Sequence, residues 1–114
     1  MAIDYSAVLP GSLAVVTKRA AMSGTAGNAV AVTLPDWCKR VSLFFTDSSG
    51  SAEAGKFSGT GTDGAAIGND VMPVPSGAIL QERIQGGHPI YLAGSTNSGY
   101  CHIAMSAYEM DGVG

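Results

Sequence analysis

Lys39-Arg40-Val41-Ser42-Leu43-Phe44-Phe45-Thr46 is the stretch whose reading decides the fold. It holds the densest run of large strand-forming residues in a chain otherwise rich in Gly, Ala, Ser and Thr. Side chains alternate between the two faces of a strand, so Val41, Leu43 and Phe45 share one side. Arg40, Ser42, Phe44 and Thr46 share the other. The first side is core. The second begins with a charge yet carries Phe44 at its middle, which implies that something covers part of it. Trp37, just after the turn-like Leu34-Pro35-Asp36, is the large plug beside this strand.

Upstream of that stretch, residues 1–11 hold Ile3, Tyr5, Val8 and Leu9 without clean alternation and end on Pro10-Gly11, a turn signal. They read as an N-terminal arm without a strand pattern to bury it on its own domain, for which a neighbouring subunit is expected to supply the apolar surface, the alternative being an integral edge strand. Residues 12–114 read as the domain itself. A strand is expected within Ser12–Ala21, and Asn28–Leu34 alternates with Val30, Val32 and Leu34 on one face.

Downstream, Asp47-Ser48-Ser49-Gly50 is a hairpin turn whose returning strand is expected at Ser51–Ser58, anchored by Phe57. Residues 59–70 are Gly-rich and read as a mobile loop. Pro73 and Pro75 flank Val74 and place that segment at an edge or in a connection. Ala78–Ile84 reads as a strand with Leu80 and Ile84 inward. The last two strands are expected to pair around a Gly94–Gly99 loop, with Leu92 opposite Cys101 and Ile90 opposite Ile103. That register gathers Tyr91, Tyr100, His102 and Tyr108 on one outer face. Without helical periodicity or internal repeat, seven or eight short antiparallel strands make an all-β chain, a single β-sandwich or its jelly-roll form.

Composition narrows the function classes. At 114 residues the chain is one domain. It is 46% hydrophobic but only 7% aromatic, and its 13% of charged residues is about half the usual share. So few charges favour a protein that works packed against neighbours. A net charge of -3 with no basic stripe argues against nucleic acid as a partner. No segment approaches membrane-spanning length and no signal-peptide pattern opens the chain, so synthesis and folding in a cytosol are expected. Cys38 and Cys101 then read as small buried hydrophobes kept reduced.

The chemical motifs are weak. Gly59-Thr60-Gly61-Thr62-Asp63-Gly64 matches G-x-G-x-x-G, but Gly68 and Pro73 follow too soon for the helix that holds a pyrophosphate. The spacing of Asp63 and Asp70 fits no EF-hand-like loop. His88 and His102 are the two histidines, and the expected register turns Cys101 away from His102, against a metal site. No G-x-S-x-G occurs, and no acid, base and nucleophile form a set. No catalytic residue, metal or cofactor is assigned, and the chain reads as a non-enzyme. The interface candidates are Ile3, Tyr5, Val8 and Leu9 of the arm, Phe44, and the group Tyr91, Tyr100, His102 and Tyr108.

In its size, short arm, single small β domain, low charge and Gly/Ala/Ser/Thr-rich turns, the chain resembles the capsid decoration (cement) proteins of tailed bacteriophages. The resemblance is carried by Val74-Pro75-Ser76-Gly77-Ala78-Ile79-Leu80, by His88-Pro89-Ile90-Tyr91-Leu92-Ala93-Gly94-Ser95-Thr96, and by the terminal strand through Tyr108. It carries over no site residue. It implies a virion protein on the capsid surface, a dimer or trimer, whose partner is the major capsid (coat) protein. The alternative from the residues is a carbohydrate-binding or tail-adhesion domain that uses the tyrosines as a sugar platform.

Overall fold

Period-two alternation governs the long strands. In the computed structural model, which describes residues 2–10 and 15–108, β1 spans Ile3–Asp4, β2 Val15–Ala21, β3 Val30–Thr33 and β4 Arg40–Thr46. β5 is Gly55–Ser58, β6 Met72–Val74, β7 Leu80–Arg83, β8 Pro89–Gly94 and β9 Tyr100–Ser106. No helix occurs among the described residues.

Pairing is nested along the chain. β2 pairs with β9, β3 with β8, β4 with β7 and β5 with β6, each antiparallel. Wrapping that double ribbon brings β9 beside β4 and β8 beside β5. Two sheets result, ordered β2-β9-β4-β7 and β1-β3-β8-β5-β6. A ribbon wound into two stacked sheets in this order is a jelly roll, which closes a β-sandwich over one core.

The inner faces are those the alternation indicates. Val41, Leu43 and Phe45 of β4 lie at no more than 1% exposure, as do Cys101, Ile103 and Met105 of β9. Val30 and Val32 of β3 with Ile90 and Leu92 of β8 supply the opposing layer. At the centre, β5 passes so close to Phe45 that a Cβ on Gly55 would lie 2.3 Å from the ring. Trp37 is half-buried against this core, as a plug should be.

Three connections differ from the expectation. β8 and β9 do not form a hairpin: residues 95–99 carry the chain from one sheet to the other, and Leu92 lies opposite Val30 while Cys101 lies opposite Phe45 and Ala20. Likewise β4 does not pair with β5. Beyond the Asp47 turn a single bridge, Thr46 to Ala52, precedes the crossing to the five-stranded sheet. The arm also finds a place on its own domain. β1 pairs in parallel with β3, Tyr5 N–H donates to Thr33 O at 2.9 Å, and Trp37 Nε1 donates to Val8 O at 2.7 Å. Ile3, Tyr5 and Val8 pack partly buried on the core, whereas Leu9 is 80% exposed.

Edge strands are blunted by composition. Pro73 sits in β6, which pairs on one side only. In the four-stranded sheet both edges place a charge at a core-side position: Lys18 of β2 opposite Ile103, and Glu82 of β7 opposite Val41. Such charges discourage another strand from adding to the sheet.

Candidate functional site

The face of β4 opposite the core gives the site. Its register sets Phe44 beside His102 of β9, and His102 beside Arg19 of β2. Because Leu43 pairs with Leu80, Ile79 falls next to Phe44 on the far side. A row thus crosses the outer face of the four-stranded sheet: Arg19, His102, Phe44, Ile79. A shallow groove of about 340 Å³ runs along it, lined also by Thr17, Ser42 and Ala104.

The polar members of the row are held in place. His102 Nε2 lies 2.9 Å from Thr46 Oγ1, and its ring is tilted 52° to that of Phe44 at 6.3 Å between centroids. The guanidinium carbon of Arg19 sits 4.3 Å from the Tyr100 ring centroid, a cation–π contact. Phe44 is half-buried and Ile79 is 62% exposed. By register, the outward positions of the four strands carry Arg19, Arg40 and Arg83 and no carboxylate. Among the described residues, the outward strand positions of that face are thus basic, with Arg40 already partnered, in a chain of net charge -3.

Of the residues singled out in the sequence, Phe44, Tyr100 and His102 come together here. Tyr91 does not. It points outward from β8 on the other sheet, where Gly61 lies so close that a Cβ there would be 3.1 Å from the ring. Tyr108 follows β9, 60% exposed, its N–H donating to Ser106 Oγ at 3.1 Å. The four-residue aromatic platform is therefore dismantled, because β8 and β9 belong to opposite sheets. Arg19 and Ile79 were missed. Only the long-range pairing of β2 with β9 and of β4 with β7 puts them beside Phe44, and no local pattern signals that.

The Gly-rich stretch expected to be mobile is instead tied down. Residues 59–68 leave β5, cross over Tyr91 and run beside the start of β3. There Ala29 N–H donates to Ala65 O at 2.7 Å and Gly64 N–H to Ala29 O at 2.8 Å. Asp63 Oδ1 accepts from the backbone N–H of Ala31 at 2.9 Å. The G-x-G-x-x-G stretch opens no helix and serves as this strap.

Other reactive groups are dispersed. Cys38 and Cys101 are both buried and unbridged, and burial pushes both thiols up from their ordinary value. Burial likewise raises the Tyr5 phenol. His88 is exposed at the entry to β8, one wall of a second shallow groove shared with Phe57, Glu82 and Ile84. Among the described residues no three of His, Cys, Asp and Glu converge as a metal site would need. No helix among them is long and apolar enough to cross a membrane. Glu53 is a buried acid that went unnoticed in the sequence. Its Oε1 accepts from Thr96 Oγ1, while Oε2 is wedged against Gly94 and Gly99, either of whose Cβ would fall 2.7 Å away. It ties the β8–β9 crossing to the β4–β5 crossing.

No family model and no curated protein matches the chain. A solved chain described under "Bacillus endospore appendages form a novel family of disulfide-linked pili" is similar at 12% identity and a TM-score of 0.34. The likeness covers 86% of this chain and 92% of that one. A TM-score so low carries no argument about this chain.

Proposed function

We propose that this chain is a non-enzymatic structural protein of a virus particle, a capsid decoration protein of the phage type. It docks on coat subunits through the outer face of its four-stranded sheet. The observation that carries the reading is the Phe44–Ile79 pair, an aromatic and an aliphatic side chain left half or mostly exposed side by side along one groove. A large apolar pair reaching from a central strand to the edge of a sheet face is the kind of side-chain cluster a protein interface uses as its anchor. The low charge and the dispersal of His, Cys, Asp and Glu side chains favour docking over catalysis. Jelly rolls recur in viral capsid and lectin domains, a fold-level analogy that admits the reading without singling it out.

Docking is assigned to the sheet rather than to the N-terminal arm, since Ile3, Tyr5 and Val8 already pack on their own core. A glycan platform is disfavoured by the separation of Tyr91 from Tyr100. Cosedimentation with undecorated capsids tests the proposal. Wild-type protein is expected to pellet with them and an Ile79→Asp variant to stay in the supernatant. Retention on a glycan array with no binding to capsids overturns it.

A further inference from the structure

Accepting that the four-stranded sheet docks on a protein, we infer that its partner is an acidic polypeptide segment carrying a bulky apolar side chain. The carboxylates of that segment meet Arg19 and Arg83, and its apolar side chain lies between Phe44 and Ile79. Among the described residues, the outward strand positions of the sheet hold Arg19, Arg83 and an Arg40 that has a partner of its own, and no carboxylate, in a chain whose net charge is -3. Among the described residues, Asp4 and Asp63 belong to the five-stranded sheet and its strap, Asp47 and Glu53 to the crossings at one end, and Glu82 to the core side of β7. A segregation of that kind selects a partner of opposite sign.

Local geometry specifies the rest. Arg19 is stacked on Tyr100 and His102 is tied to Thr46, so the basic end of the groove is pre-organised and loses little freedom on binding. A volume of about 340 Å³ is at the small end of ligand sites, suited to one or two side chains rather than a cofactor. Nucleic acid suits the face less well. Its middle is apolar, and a polyanion needs a continuous run of cations to release counterions.

The probe is a peptide with leucine and phenylalanine set between two runs of three glutamates, titrated into the ¹⁵N-labelled full chain. At low salt, amide shifts are expected to move around Arg19, Phe44, Ile79 and His102, and to fade as salt rises. Arg19→Glu is expected to weaken the response by about tenfold or more. Ile79→Ser, at an exposed position that keeps the fold, lowers it too, and Lys56→Glu on the other sheet leaves it unchanged. Shifts centred on the five-stranded sheet, or equal weakening by Lys56→Glu, overturn the inference. So does an equal response to octaglutamate or to heparin fragments, which would make the face a general anion surface. If capsids retain the protein through Ile79 while the peptide leaves the spectrum unmoved, the acidic partner is wrong and the docking face stands. If neither binds, both fail.

Discussion

On the outer face of the five-stranded sheet Tyr91 lies beneath the strap formed by residues 59–68, whereas on the four-stranded sheet Phe44 lines an open groove beside Ile79 and His102. Both aromatics occupy outward positions on central strands. One is covered by its own chain. For the other, the described residues provide no strap. An aromatic in a central strand is explained by burial in the first case. In the second, the docking proposed for that face is what would account for it.

The comparison can be broken most directly at the core that both faces share. Phe45→Ala removes the ring that β5 closes over, and a cost of roughly 3–5 kcal/mol is expected. Urea unfolding of the variant measures it. A loss under about 1 kcal/mol would mean that Phe45 is not the centre of the sandwich. The next effect comes from a chain starting at Gly11, which loses β1, the Trp37–Val8 hydrogen bond and the packing of Ile3 and Tyr5. Half-buried side chains offset by the entropy of ordering them leave roughly 2–4 kcal/mol. Its melting temperature should fall clearly below that of the full chain; an unchanged melt would return the segment to the role of a free arm.

Sharper still is the pair Tyr91→Ala and Phe44→Ala in a monomer verified by ultracentrifugation. The covered Tyr91 is expected to cost about 1–2 kcal/mol and the uncovered Phe44 less than about 1 kcal/mol. Equal losses would put an unseen cover over Phe44 from within the same chain. Only Phe44→Ala should also lower capsid retention.

The smallest effect is expected at the Asp47 turn. Asp47 Oδ1 accepts from Ser49 N–H at 2.9 Å, Ser49 Oγ at 2.7 Å and Ser51 N–H at 3.0 Å. The Ser49 side-chain bond, then the Ser51 backbone bond, hold the carboxyl below its usual value of 3.8. A depressed folded pKa means that the unfolded chain takes up the proton first. The contribution is therefore complete above the unfolded value and is lost as pH falls through the folded one. Asp47→Ala should lower stability slightly at pH 7, where the contribution is complete, and leave stability below the folded pKa close to wild type, so that the acid limb of the profile flattens. An unaltered acid limb would mean that the turn's hydrogen bonds do not persist in solution.

Which side of β3, β4, β8 and β9 faces inward was legible in the sequence, because alternation is local and each side chain answers only to its neighbours two residues away. Val30, Val32 and Leu34, then Val41, Leu43 and Phe45, then Ile90, Leu92, Cys101, Ile103 and Met105, are all buried as the pattern indicates. The Asp47 turn and the edge position of Pro73 were equally local. Strand partners were decided by tertiary structure alone. An inward face with Ile90 and Leu92 is satisfied as well by a layer across the core as by a strand alongside, and the Gly-rich residues 94–99 permit either a hairpin or a crossing. Wrapping the whole ribbon settles the choice, since β9 has its partners in β2 and β4, far upstream. That same wrapping brings Arg19 and Ile79 to Phe44 and sends Tyr91 beneath the strap, so the candidate site depends on contacts that no local pattern encodes.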